Sequence, residues 1–128
     1  MTDRSVTLGT ISTVRAYHGG WTGRRFDQSI DLLASDLKVE VPINDYPTRD
    51  SFAQALVGFG TLVERVVLLA ELAEGNEAML LYDMDVAQLG RIRMAEHFTV
   101  VDGKIARIRQ VHDTTAIRAS GFAKNSVA

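Results

Sequence analysis

Cysteine is absent from the 128-residue chain. That excludes disulfides, thiol nucleophiles and zinc–thiolate centres. Proline occurs only twice, at Pro42 and Pro47, which bracket one short loop, and no proline- or serine-rich linker divides the chain. The length therefore suits one domain spanning 1–128. Long hydrophobic runs are also missing: stretches such as Val66–Ala70 are far too short to span a bilayer. The opening residues Met1 to Ser5 lack the apolar stretch of a signal peptide, so the expectation is a cytoplasmic protein without a membrane. Charge of one sign is lacking too. Fourteen basic and sixteen acidic residues leave a net charge of −2, a poor basis for nucleic-acid binding. What is present is ordinary globular composition, 46% apolar and 23% charged.

The first half has helical period. Ile11, Val14, Tyr17 and Trp21 fall three and four apart and share one helix face. Gly19-Gly20 weakens that helix and Gly23 ends it. A second short helix turns Phe26, Ile30 and Leu33 inward. Lys38 to Val41 reads as a strand, with Leu37, Val39 and Val41 on one face, stopped by Pro42. Thr48 is a good N-cap for a third helix whose buried stripe is Phe52, Leu56 and Phe59. Gly58 and Gly60 end that helix or admit a close neighbour.

The second half has period two. Strands are expected over 63–72, 78–88, 91–101 and 104–113, with turn chemistry at Glu74–Glu77 and Leu89-Gly90 and a hairpin at Asp102-Gly103. Helices first and an antiparallel meander after give an α+β fold, its helices covering one face of a sheet. Loose ends are expected at about 1–8 and 118–128, leaving a core of about 7–117.

Alternation sorts the polar residues. Leu80, Tyr82, Met84 and Val86 share one face, leaving Asp83 and Asp85 on the other. Two acids at i, i+2 point the same way, as a magnesium or calcium site needs, but here they lie on the outer face. The next strand places Ile92, Met94, Glu96, Phe98 and Val100 together. Glu96 is thus one carboxylate in an apolar row, where desolvation raises its pKa toward the range of a neutral-pH acid or base. The alternative is a sheet-edge glutamate paired with an arginine. In the last strand Ile105, Ile108 and Val111 break strict alternation, as a bulge would. Either Gln110 and His112 face the core, or Arg109 and Asp113 do. His18, His97 and His112 lack metal-ligand spacing, and no phosphate loop or nucleophile elbow occurs, so no metal or cofactor is expected. Arg24-Arg25 reads as a solvated helix start.

The run Tyr17-His18-Gly19-Gly20-Trp21-Thr22-Gly23-Arg24-Arg25-Phe26-Asp27, continuing through Leu32–Asp36 to Val39-Glu40-Val41-Pro42, resembles the opening of the SnoaL-like, nuclear transport factor 2-like superfamily. Glu96-His97-Phe98 and Asp102-Gly103-Lys104-Ile105 are similar to its acid-x-F and D-G-K-I segments. The resemblance covers about residues 7–117. It implies a curved antiparallel sheet wrapped around three N-terminal helices as a cone, with an apolar pocket at its mouth. It also implies a homodimer through the outer sheet face. The fold hosts isomerases, cyclases, dehydratases, epoxide hydrolases and non-catalytic binding proteins.

Against the ketosteroid isomerases, Tyr17 matches the oxyanion-donating tyrosine and Glu96 the protonated aspartate. That strand position also holds the catalytic aspartate of polyketide cyclases. The resemblance turns Ile108, Gln110 and His112 toward the pocket. The isomerase's base position, just before a proline, is held by Val41, which cannot shuttle a proton, and Asp45 in the next loop is a substitute with no fixed geometry. The implied catalytic set is Glu96, Tyr17 and His112. Trp21, Val41, Phe52, Phe59, Tyr82, Met84, Phe98, Ile108 and Gln110 would contact an apolar small molecule. Two functions follow: acid–base chemistry on a carbonyl compound, of isomerase, cyclase or dehydratase type, or non-catalytic capture of an apolar ligand or a partner. In the second, Glu96 and Tyr17 simply bond to each other as a buried polar pair.

Overall fold

The computed structural model describes residues 3–121. Three helices, α1 (Asp3–Thr22), α2 (Phe26–Ile30) and α3 (Arg49–Gly60), alternate with and precede five strands: β1 (Leu33–Glu40), β2 (Val63–Glu74), β3 (Glu77–Val86), β4 (Gly90–Val101) and β5 (Lys104–Val111). A last helix, α4, covers Thr115–Ser120. The sheet order is β1-β5-β4-β3-β2. β1 runs parallel to β5, and all other neighbours are antiparallel. The fold is the expected α+β arrangement, with the helices on one face of a curved sheet.

Local chemistry sets most of these boundaries. Asp102 (φ 52°) and Gly103 (φ 75°) take the left-handed pair of conformations that a tight hairpin needs, and they join β4 to β5. Thr48 caps α3 in a reciprocal box: its hydroxyl accepts from Ser51 N–H, and Ser51 Oγ accepts from Thr48 N–H. The break in alternation along β5 is a bulge. Val100 faces Ile105 but Thr99 faces Arg107, so Ala106 is the extra residue. After it, Ile108 and Gln110 point inward, opposite Phe98 and Glu96, while Arg109 points outward to Glu40.

The structure corrects several expectations. Leu33 opens β1 rather than closing α2, and its side chain packs opposite Ile105. β1 therefore begins before Lys38. An irregular register between Leu33 and Lys38, where Ser35 and Asp36 are exposed, hides its alternation in the sequence. Val41 lies just past the strand. The expected loose end at 1–8 is helical from Asp3 onward: Thr7 Oγ1 accepts from Gly75 N–H at 2.9 Å, and Thr10 Oγ1 donates to Gly75 O at 2.7 Å. These long-range bonds clamp α1 to the β2–β3 turn. At the other end, 118–120 belong to α4, and 122–128 lie outside the described residues. The sequence reading missed α4 because a single residue, Ile117, anchors it.

The core lies between the concave sheet face and the helices. Val14, Tyr17 and Trp21 of α1 meet Leu80, Tyr82, Met84, Met94 and Phe98 of the sheet. Gly20 lets α2 approach: Ser29, itself fully buried, donates to Tyr17 O at 2.6 Å, and a Cβ on Gly20 would collide with its hydroxyl. A Cβ on Gly19 meets nothing within 4 Å. The two adjacent glycines should thus respond oppositely to alanine. Gly19→Ala removes a helix-interior glycine and should stabilise by about 1 kcal/mol. Gly20→Ala overpacks a buried contact and should destabilise by about 1–3 kcal/mol. Urea unfolding of the two variants checks both signs.

Candidate functional site

The inner face of the sheet carries one fully buried acid; Glu71, opposite Leu80 on the edge strand β2, faces the same side but is partly exposed and paired with Arg15 of α1. Glu96 is 1% exposed, in the middle of β4. Burying a carboxyl without partners is costly, and here both oxygens are met. Tyr82 Oη donates to Oε1 at 2.8 Å, and Gln110 Nε2 donates to Oε2 at 2.8 Å. Register explains both bonds. Gln110 stands directly opposite Glu96 on β5, and Tyr82 is two residues along β3 from Leu80, the residue that faces Glu96. The tyrosine that bonds the carboxyl is therefore Tyr82, which the sequence reading treats as apolar wall, and not Tyr17.

Burial pushes the Glu96 carboxyl above the usual carboxylate range, and the bonds from Gln110 and Tyr82 pull partly against it. Tyr17 is fully buried on α1, its ring edge-on to Phe98 with centroids 5.7 Å apart. Burial, then the nearby Glu96 charge, raise the pKa values of Tyr17 and Tyr82 well above 10. Both hydroxyls keep their protons at any physiological pH. His18, one residue along, packs against Tyr82 (4.7 Å between centroids) and Trp21 (5.5 Å). Its Nδ1 is buried without a partner, and burial lowers its pKa to about 4 against the opposing pull of Glu71, so the ring is neutral.

Glu96, Tyr17 and Tyr82 open onto a pocket between the sheet and the helices. α1 supplies Tyr17 and Trp21 to the lining, α3 supplies Phe52, Leu56 and Phe59, and the sheet supplies Tyr82, Met84, Met94, Glu96 and Gln110. Val41 and His112 line it as well. Of the expected contact residues, Phe98 and Ile108 do not: both are fully buried in the core behind the lining. Asp45 is exposed and outside the lining, so it supplies no base there. The sequence reading missed Ile43 and Tyr46 of the loop after β1, and Ile117 of α4. No periodicity marks a loop residue, and α4 is too short to show one.

The remaining candidates are held elsewhere. Asp83 lies on the outer face and takes a two-pronged bond from Arg93 (2.7 and 2.9 Å), which lowers its pKa; Asp85 pairs with Arg91. No group of three or more potential metal ligands occurs among the described residues. Arg24 ties the α1–α2 turn to Thr61 O and Val63 O, and Arg25 bonds Gly19 O and Gln28. No described helix is long and apolar enough to cross a membrane.

Glu96 sets a sign for the dependence of stability on pH. Its raised pKa means that the folded chain holds the proton more tightly than the unfolded chain, whose value is about 4.3. The stability this contributes is complete below that value and is lost as pH rises through the folded one. Relative to Glu96→Gln, the wild type should therefore lose stability on going from about pH 4 toward neutrality. Urea unfolding of both proteins across that range measures the difference, and a gap that widens in the opposite direction would refute it.

Residues 14–108 match the family model described as the SnoaL-like domain. No curated protein matches the chain. Among solved structures, a protein from Kribbella flavida DSM 17836 is 27% identical, with a TM-score of 0.82 over 91% of this chain and 97% of that one. A candidate ketosteroid isomerase from the same organism is 21% identical (TM-score 0.71, 84% and 79% covered). An LEH-like epoxide hydrolase from M. tuberculosis is also 21% identical (TM-score 0.70, 84% and 85% covered). With the matched segment spanning most of the sheet and the pocket helices, the chain belongs to the SnoaL-like family.

Proposed function

We propose that the chain is a small-molecule enzyme that performs acid–base chemistry on a compact apolar carbonyl compound, as an isomerase, cyclase or dehydratase. One observation carries this: a fully buried carboxyl group, held on both oxygens, beside an otherwise largely apolar pocket. A carboxyl oxygen has two acceptor sites, so a protonated Glu96 keeps room for its own proton beside the bonds from Tyr82 and Gln110. Tyr17 adds a second buried hydroxyl. Donors fixed in a water-poor site stabilise a developing oxyanion without reorganising, which is worth about 10²–10³ in rate for a single donor. Aromatic and aliphatic walls (Trp21, Phe52, Phe59, Met84) exclude water around it. Among the described residues no lysine or arginine lines the pocket, so an anionic substrate finds no counter-charge from them. The similar folds of a candidate ketosteroid isomerase and an epoxide hydrolase fit small-molecule chemistry.

A second reading is ligand capture without turnover. It is favoured by Val41 at the family's base position and by the completeness of the Tyr82–Glu96–Gln110 bonds, which serve stability alone equally well. A planar phenol that mimics an enolate separates the two. The wild type should bind p-nitrophenol, with an affinity that changes between about pH 5 and about pH 9. Glu96→Gln and Tyr17→Phe should each weaken it by roughly tenfold or more, the worth of a hydrogen bond to a charged group. Folded variants that bind as tightly as the wild type would favour plain capture.

We also propose a homodimer through the outer sheet face. Ala70, Leu81, Ala95 and Val111 stand opposite one another and form an apolar row across four strands; Leu72 and Met79 border it. Val111 is 70% and Leu72 71% exposed in the single chain. Balanced ion pairs, Asp83–Arg93 and Glu40–Arg109, flank the row, so the surface can meet its own copy about a two-fold axis. Ala95→Glu places a charge in mid-row and should shift the sedimentation coefficient from dimer to monomer. A wild type that sediments as a monomer would sink this proposal.

A further inference from the structure

We propose that His112 is the general base of this pocket and that it takes the substrate proton on Nε2; the assignment rests on the acid–base reading above. His112 lines the pocket, and its Nδ1 lies 3.0 Å from the main-chain oxygen of Asp113. A carbonyl oxygen only accepts, so Nδ1 carries the ring hydrogen. In the neutral imidazole Nε2 then holds the lone pair. Asp113 is itself fixed, since its carboxylate accepts from Thr115 N–H at 2.9 Å, where α4 begins. The tautomer is thus set by the chain's exit from the sheet and not by a ligand.

Position agrees with tautomer. The bulge at Ala106 turns Gln110 inward, and His112, two residues on, reaches the same pocket. Two residues of extended chain span on the order of 7 Å, enough to set the imidazole apart from the Glu96–Gln110 bond by the length of a small substrate. Glu96 is deep and His112 is half-exposed, so a carbonyl oxygen directed at Glu96 leaves the adjacent carbon on the side of His112.

No other lining group suits the task. Val41 is apolar. Tyr17 and Tyr82 are held protonated, and Glu96 is the protonated donor to the carbonyl oxygen in the acid–base reading, so it is not also the base. Tyr46 Oη accepts from Asn44 Nδ2 at 3.1 Å. In the proposed step the C–H bond beside the carbonyl breaks and its proton moves to Nε2. The C–H electron pair becomes the carbon–carbon double bond of an enolate, and the carbonyl π pair moves to oxygen, where the Glu96 and Tyr17 hydroxyls meet it. Return of the proton to the same or a conjugated carbon completes an exchange or isomerisation with no net oxidation.

The test uses cyclohexanone in deuterated buffer, with proton NMR following loss of its α-hydrogens. The wild type should accelerate this exchange. His112→Gln should slow it by about 100-fold or more while the ketone still binds, and added imidazole should restore part of the rate to His112→Ala. Exchange that persists in folded His112 variants overturns the assignment and leaves the acid–base reading standing. A wild type that binds the ketone without exchanging it overturns both. Nitrogen-15 NMR of the wild-type imidazole is a check independent of any variant: the Nδ1–H tautomer is expected, and the Nε2–H tautomer would refute the base.

Discussion

A carboxyl group in the centre of a sheet, with almost no contact with water, is tolerated only if its hydrogen-bonding sites are answered from within the fold. Here the answer comes from two neighbouring strands at once. Tyr82 on β3 and Gln110 on β5 each take one oxygen of Glu96, and each can do so only because the three strands are aligned to the residue. A one-residue slip of β5 would turn Gln110 to the outer face and leave an oxygen unmatched. The polar cluster therefore rewards one register and penalises the others, beyond what the apolar residues around it achieve.

That register depends on a defect. Without the extra residue at Ala106, strict alternation from Ile105 would carry Arg107 and Arg109 into the pocket and leave Ile108 and Gln110 outside. The bulge reverses the facing of the strand after one turn of pairing. Ile105 and Ile108 both stay in the core, and Arg109 is free to pair with Glu40 on the outer face. The tight Asp102-Gly103 turn fixes the start of β5, and the bulge resets its phase. Together they decide which side chains the pocket receives.

This division explains what was legible in the sequence. Alternation over 78–101 is strict, so the inner row with its lone Glu96 could be read directly. The break between Ile105 and Ile108 signalled the bulge, although only the family resemblance chose its facing. Thr48 and Asp102-Gly103 carry their meaning within three or four residues. By contrast, the Thr7 and Thr10 clamp on Gly75 joins residues more than sixty positions apart, and nothing local announces it. Tyr82 as donor to Glu96 depends on pairing between β3 and β4, and its aromatic ring made it look like wall. Ile43, Tyr46 and Ile117 enter the pocket from a loop and a one-anchor helix, where no period exists to detect.

The pocket is polar on one side for a reason that the fold alone does not require. An apolar residue at position 96 would pack in this row without needing Tyr82 or Gln110, and replacing a satisfied buried polar set by apolar groups is often close to neutral for stability. Gln110 in particular is only half-buried, and its amide could be spent on water. The arrangement instead keeps a desolvated acid at the floor of a cavity, two buried hydroxyls beside it, and an imidazole with a defined tautomer nearer the mouth. Val41 can carry no proton, and the exit of β5 brings an imidazole nitrogen to the same cavity. The chemistry of the site is thus set less by the helices, which give it walls, than by the last strand: its bulge delivers Gln110, and its end delivers His112.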